Sequence, residues 1–206
     1  RLAGVSEPLS VGRFGLAKGK RVDYVTQAQS IGAFIGLRED YDRLTRAFAL
    51  IELVDALVPM GQPLPETWGL LLDLLRHVET HPHPTAALVW AELKLLEVFG
   101  YLPQFGACAV CGAGAREAET TLSPEAGGVV CQAHAPTCGD RFRVTEETAI
   151  GLARTSALDQ PPPQLKLADE ALFALLPFWR HVAHAPLRAN ESLVGELRRS
   201  RPSPAG

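Results

Sequence analysis

Four cysteines and one histidine are the residues whose types and spacing could do chemistry together. Cys108-Ala-Val-Cys111 and Cys131-Gln-Ala-His134 spell C-x2-C-x19-C-x2-H, and every cysteine of the chain lies between Cys108 and Cys138. Two residues between ligands let a tight turn aim both side chains at one ion, so each half is a two-pronged clamp. Two clamps supply the four tetrahedral ligands of one structural Zn²⁺. His134 as fourth ligand keeps the two-residue spacing. Cys138 is the alternative fourth ligand, reached through a longer loop in the second clamp. Gly112, Gly114, Gly127 and Gly128 flank the clamps, where the backbone must turn sharply.

Three other chemistries compete for these cysteines. Disulfides suit a small secreted chain, whereas this sequence shows no secretory signal and gathers its cysteines in one place. A thioredoxin-type pair needs one C-x-x-C at a strand-to-helix junction, not two facing half-sites. A catalytic zinc keeps an open position beside an acid or base, and a nucleic-acid deaminase carries its own signature. Neither is expected here. No nucleophile-base arrangement, phosphate-binding loop or dinucleotide fingerprint is read either. The chain reads as a binding module, not an enzyme, with no small-molecule substrate.

The elements that must position the clamps follow from pattern. The 206 residues are 47% hydrophobic, enough for a sizeable core in one domain or two small ones. No apolar run is long enough to span a membrane. Cysteines arranged for metal point to a reducing cytoplasm. The formal charge of −3 argues against a uniformly basic coat, so a nucleic acid would have to meet a local patch. One such patch is Arg13, Lys18, Lys20 and Arg21 on a hairpin expected between Val5 and Gln29, with Phe14 and Tyr24 available to stack bases. The plain alternative is a solvated hairpin tip.

Helical periodicity begins near Leu37. Leu44, Phe48, Ile51, Val54 and Val58 mark one apolar stripe ending at Pro59, before a loop with Gly61 and Pro63. Trp68, Leu71, Leu75 and Val78 mark a second, from about Pro65 to His81. A third helix, Ala86 to Phe99 with Thr85 as N-cap, is apolar nearly all round and therefore central. After the metal box, Thr145-Glu-Glu147 opens another helix, Pro161–Pro163 makes a stiff connector, and Leu172 to Val182 form a last amphipathic helix that Pro177 should kink or divide. His81, His83, His181 and His184 read as surface residues. Arg198 onward reads as a disordered basic tail.

These residues resemble the bacterial RecO recombination mediators. The resemblance rests on Leu9-Ser-Val-Gly, Thr26-Gln-Ala-Gln29, Leu37-Arg-Glu-Asp-Tyr-Asp-Arg-Leu44 and Ile51-Glu-Leu-Val-Asp55. It continues through Glu92-Leu-Lys-Leu-Leu-Glu-Val-Phe-Gly-Tyr-Leu-Pro-Gln104 into Cys108-Ala-Val-Cys111-Gly, then Leu122-Ser-Pro and Gly127-Gly-Val-Val-Cys131. It implies an α+β architecture: residues 1–30 as the C-terminal half of an N-terminally truncated OB-fold, helices over 37–104 and 141–197, a zinc knuckle over 105–140, and a tail over 198–206. His134 stands where zinc-binding members commonly carry a fourth cysteine. The resemblance further implies a nucleoid-associated DNA repair and recombination mediator. Such a protein binds single- and double-stranded DNA, anneals strands, and works with RecR and single-stranded-DNA-binding protein to load recombinase at gaps. The alternative is a zinc-stabilised protein-interaction or transcription-associated module without annealing activity.

Overall fold

A computed structural model describes residues 5–58, 64–114 and 119–200. The expected helix stop at Pro59, the loop with Gly61 and Pro63, and the tail residues 201–206 lie outside the described residues. The architecture is α+β, with seven helices and two small sheets among the described residues. The helices are α1 (Ile35–Glu39), α2 (Tyr41–Leu57), α3 (Pro65–Thr80), α4 (Pro84–Val98), α5 (Glu146–Ser156), α6 (Ala168–Val182) and α7 (Arg188–Ser200). Strands β1 (Ser10–Ala17) and β2 (Tyr24–Ala33) pair antiparallel as a ribbon. Strands β3 (Glu119–Ser123), β4 (Gly128–Val130) and β5 (Phe142–Thr145) form an antiparallel sheet in the order β4-β3-β5.

Local chemistry starts most of these helices. Asp40 caps α2 by accepting the Arg43 N–H at 3.2 Å, and Thr145 caps α5 by accepting the Thr148 N–H at 3.2 Å. Proline occupies the first position of α3 and α4, where its missing N–H costs no hydrogen bond. The α4 start therefore falls on His83 and Pro84 rather than Thr85. Thr85 instead accepts a 3.0 Å hydrogen bond from Arg46 Nε.

Helix α4 is the axis of the core, as its all-round apolarity requires. Leu88, Val89, Leu93, Leu95 and Leu96 are buried, and α2, α3, α5 and α6 pack around it. The buried stripe of α2 is Ala47, Leu50, Leu53 and Val54. Phe48, expected on the buried stripe, is 38% exposed, while the small Ala47 and Ala49 on either side of it are fully buried. On α3, Leu71, Leu74, Leu75 and Val78 face the core while Trp68 is 52% exposed. Pro177 does not divide α6, since Leu175, Leu176, Phe178 and Trp179 are anchored in the core on both sides of it. Helix α7 extends through Arg198 and Arg199 to Ser200, so these residues are helical rather than tail.

The ribbon stands on the helical body through a narrow base. Phe34 is buried, Leu9 and Val11 pack against the core, and Arg38 of α1 donates to Glu7 Oε2 at 2.8 Å and Ser10 Oγ at 2.6 Å. Beyond that base, most β1 and β2 side chains face solvent. Among the described residues the ribbon does not close into a barrel.

Candidate metal centre

Each clamp is a hydrogen-bonded turn. In the first, Gly112 N–H donates to the Cys108 carbonyl at 2.8 Å while Cys108 N–H donates to the Ala113 carbonyl at 2.8 Å. Gly112 sits at φ +73°, a conformation that glycine adopts without a Cβ penalty. In the second, His134 and Ala135 N–H groups both donate to the Cys131 carbonyl, at 2.9 and 2.8 Å. A short 3-10 turn, Ala135–Thr137, follows.

The sheet brings the clamps together. Strand β4 ends one residue before Cys131, and its Val129 carbonyl accepts the Ala109 N–H of the first clamp at 2.7 Å. Gln104 locks the same strand from the other direction: its N–H donates to the Gly127 carbonyl and its carbonyl accepts the Val129 N–H, at 2.9 and 2.8 Å. A side chain at Gly128 would collide with the Gln104 backbone, and its φ of +151° also favours glycine. Asp140 ties the far end. Its Oδ1 accepts Ser123 Oγ–H at 2.6 Å and its Oδ2 accepts Glu125 N–H at 2.7 Å. Burial raises the Asp140 pKa, but these hydrogen bonds outweigh it and hold the carboxyl below its ordinary value.

Within this frame the ligand atoms of Cys108, Cys111, Cys131 and His134 all lie within 4.8 Å of one another. Cys131 Sγ is 3.2 Å and Cys108 Sγ 3.8 Å from His134 Nδ1, and Cys111 Sγ is 3.9 Å from Cys131 Sγ. Zn–S bonds near 2.3 Å and Zn–N bonds near 2.0 Å, set tetrahedrally, separate ligand atoms by about 3.5–3.8 Å. The donor set thus fits a metal ion of that size. Cys138 stands outside it, buried, with its Sγ–H against the His134 carbonyl at 3.6 Å.

Electrostatics agree with a cation at this position. Burial pushes the Cys108 thiol up, but backbone hydrogen bonds from Cys131, Cys111 and Val110 bring it down to about 6. The His134 hydrogen bond lowers Cys131, and the same contact raises His134. At Cys111 the Ala113 backbone favours the thiolate, while the neighbouring sulfurs of Cys108 and Cys131 outweigh it and leave the thiol raised. Crowded sulfurs that resist sharing negative charge are what a dication relieves.

Among the described residues no other histidine joins the cluster. His81 Nδ1 lies 2.9 Å from the His83 carbonyl oxygen, and His77 lies 4.8 Å from the Trp90 ring with Nε2 at 2.8 Å from Gln160 Oε1. His77-Val-Glu79 has the H-x-E spacing of a deaminase half-motif. Glu79, however, accepts the Gly36 N–H at 3.0 Å, and neither residue belongs to the metal cluster. Sequence reasoning missed Asp140, which carries no spacing signature.

The cationic patch lies on the β1–β2 ribbon. Arg13 is on β1 opposite Gln29, and Lys18, Lys20 and Arg21 crowd the turn into β2. All four are exposed, and none is in an ion pair with another described residue. Phe14 and Tyr24 are 45% and 61% exposed beside them. Arg13, Phe14, Thr26 and Gln27 line a groove of about 730 Å³ along the ribbon.

Residues 38–164 match the family described as Recombination protein O C terminal. The chain is 33% identical over 132 residues to a DNA repair protein RecO of Desulforamulus reducens, covering 64% of this chain and 51% of that protein. It is 37% identical over 131 residues to the RecO of a Roseiflexus species, covering 64% and 46%. The RecO of Symbiobacterium thermophilum is 33% identical over 159 residues, covering 75% and 61%. The chain spans about half the length of the curated relatives it matches.

Proposed function

The chain belongs to the RecO family, and from that premise we propose that it serves in DNA repair as a recombination mediator. In this reading it binds single- and double-stranded DNA, anneals complementary strands, and helps RecR load recombinase at gaps covered by single-stranded-DNA-binding protein. It works in the cytoplasm at the nucleoid, by binding and positioning rather than by catalysis. The observation that carries the reading is the family match across the helical body and the knuckle, residues 38–164. The exposed cations of the β1–β2 ribbon support it, because a phosphate backbone requires accessible positive charge on an otherwise acidic chain. The ribbon would be part of an OB platform in the whole protein.

The metal centre would hold one structural Zn²⁺ through Cys108, Cys111, Cys131 and His134. Four ligands leave no open position, so the ion would supply a cross-link between the clamps and no chemistry of its own. The test uses the full-length protein. Annealing of complementary oligonucleotides, with and without single-stranded-DNA-binding protein, should be accelerated and should weaken steeply with salt. Binding to partner proteins without any annealing would favour the interaction-module reading instead.

A further inference from the structure

The four ligands differ sharply in accessibility. Cys108 is 2% exposed, whereas Cys111 is open to solvent and Cys131 is partly so. These two accessible sulfurs are also close to each other, 3.9 Å apart, and each belongs to a different clamp. A disulfide needs its sulfurs at about 2.05 Å, so the two must close by less than about 2 Å. A bond between them would span the two clamps, as the metal does, and would close the 19-residue connection through β3 and β4. A Cys108–Cys111 bond would only tie one clamp to itself, and it would draw a buried sulfur out of its packing.

We propose that Cys111 and Cys131 are a redox-sensitive pair, which hydrogen peroxide converts to a disulfide with release of the metal. This rests on the metal reading of the cluster given above. The Cys111 sulfur, which would be a thiolate as a metal ligand, attacks one oxygen of the peroxide; the O–O bond breaks, the second oxygen takes a proton from solvent and leaves as water, and a sulfenic acid forms. The Cys131 sulfur then attacks that sulfenic sulfur, forming the S–S bond and expelling a second water. The peroxide gains two electrons and each sulfur loses one. Two of the four ligands are thereby removed, and Cys108 with His134 cannot hold a tetrahedral ion alone. Because the disulfide takes over the link between clamps, the knuckle keeps its shape. A thiol reductant and Zn²⁺ restore the original state. Cys138, buried and outside the cluster, takes no part.

The experiment uses the full chain as purified. Metal content is measured first; hydrogen peroxide is then added with a chromophoric chelator present, and cysteine pairing is mapped by alkylation and peptide mass spectrometry. The expected result is release of about one equivalent of Zn²⁺ per disulfide formed, with Cys111–Cys131 as the dominant pair and Cys138→Ser behaving as wild type. In Cys131→Ser, dimedone should label Cys111, because the sulfenic acid has lost its partner. A dominant Cys108–Cys111 or Cys138-containing pair would overturn the proposal, as would irreversible sulfinic acid at Cys111 without a disulfide. A chain free of metal before peroxide is added would fail the metal reading and the release step. A metal-loaded chain whose Cys111 and Cys131 do not pair fails the redox proposal alone.

Discussion

Glu52 of α2 closes the start of α7 by gripping Asn190. Its Oε2 accepts the Asn190 backbone N–H at 3.0 Å and the side-chain Nδ2–H at 2.9 Å, while Oε1 accepts the Ala189 N–H at 2.9 Å. The same Nδ2 donates to the Ala49 carbonyl at 3.0 Å. A helix N-terminus leaves its first N–H groups unpaired and carries partial positive charge, so a carboxylate from another helix answers both needs. Asn190 is buried, which makes these partners costly to remove.

Glu52→Ala should therefore destabilise the chain by about 2–3 kcal/mol, the scale of losing charge-assisted hydrogen bonds at a partly buried site. Glu52→Gln should lose about half as much, since an amide oxygen still accepts. Urea unfolding measures both. Equal stability of all three proteins would remove the cap from the account of how α7 docks.

The metal centre predicts an asymmetry among sulfurs. Cys108→Ser and Cys131→Ser should lose bound Zn²⁺ and several kcal/mol of stability, because binding and folding of such a site are coupled. His134→Ala should weaken retention against a chelator, while Cys138→Ala should leave retention unchanged. Loss of metal in Cys138→Ala with retention in His134→Ala would transfer the fourth position to Cys138.

Gly128 predicts a cost of backbone approach. A Cβ there would overlap the Gln104 backbone, and the alanine would be forced to a φ that L-residues avoid. Gly128→Ala should destabilise by about 2 kcal/mol or more. It should also loosen Zn²⁺ retention, because the displaced strand β4 leads directly into Cys131. A substitution in the same turn, Glu125→Ala, leaves the backbone N–H bond to Asp140 intact and serves as control. Metal affinity unchanged in Gly128→Ala would show that the clamps do not depend on β4.

How much of this was legible in the sequence depends on the range of the interaction. Each clamp is written within four residues, so the pairs Cys108/Cys111 and Cys131/His134 could be read directly. The β4-β3-β5 sheet that brings them together could not, because its strands are three to five residues long and the register is set by Gln104 from outside the sheet. Helix α4 was legible because it is apolar all round. The core face of α2 was not: Phe48 lies partly in solvent while Ala47 and Ala49 are fully buried. Hydrophobicity marks large side chains, whereas close helix approach selects small ones. Helix α7 is polar enough that its buried Asn190, Leu193 and Val194 do not stand out, and its docking depends on Glu52, 138 residues away.

Glu92 gives the chain a pH dependence of its own. Its carboxyl is 2% exposed in the centre of α4, and it accepts the Trp179 Nε1–H at 2.9 Å. Burial pushes its pKa up to about 8 from 4.5, and the Trp179 hydrogen bond offsets only part of that. The native state thus keeps a proton that the unfolded chain has already lost. Its contribution is fully present below about pH 4.5, falls as pH rises to about 8, and is flat above, with a total on the order of a few kcal/mol. Glu92→Gln retains an acceptor for Trp179 and cannot ionise. Unfolding free energies at pH 5 and pH 8.5 should fall more in wild type than in this variant. Identical pH profiles would mean that Glu92 is ionised in the native state at neutral pH.

The cations of the ribbon carry the prediction closest to function. Arg13, Lys18, Lys20 and Arg21 are exposed on an element that few core contacts hold, so neutralising them should leave folding intact. If they meet phosphates, each contact releases condensed counterions when DNA binds. Removing one should then flatten the dependence of log affinity on log salt by about 0.7 for single strands. The weakening should be alike for all sequences, because phosphate contacts position DNA without reading its bases. Phe14→Ala should act differently. Losing a stacking ring should weaken binding by about 1–3 kcal/mol without changing the salt slope. The fourfold neutralised variant and Phe14→Ala, both in the full-length protein, are to be titrated with oligonucleotides at several salt concentrations. A reduced slope in the first and a parallel offset in the second would place the DNA along the ribbon groove. An unchanged slope in the fourfold variant would reduce the patch to a solvated hairpin and move the DNA-binding face elsewhere.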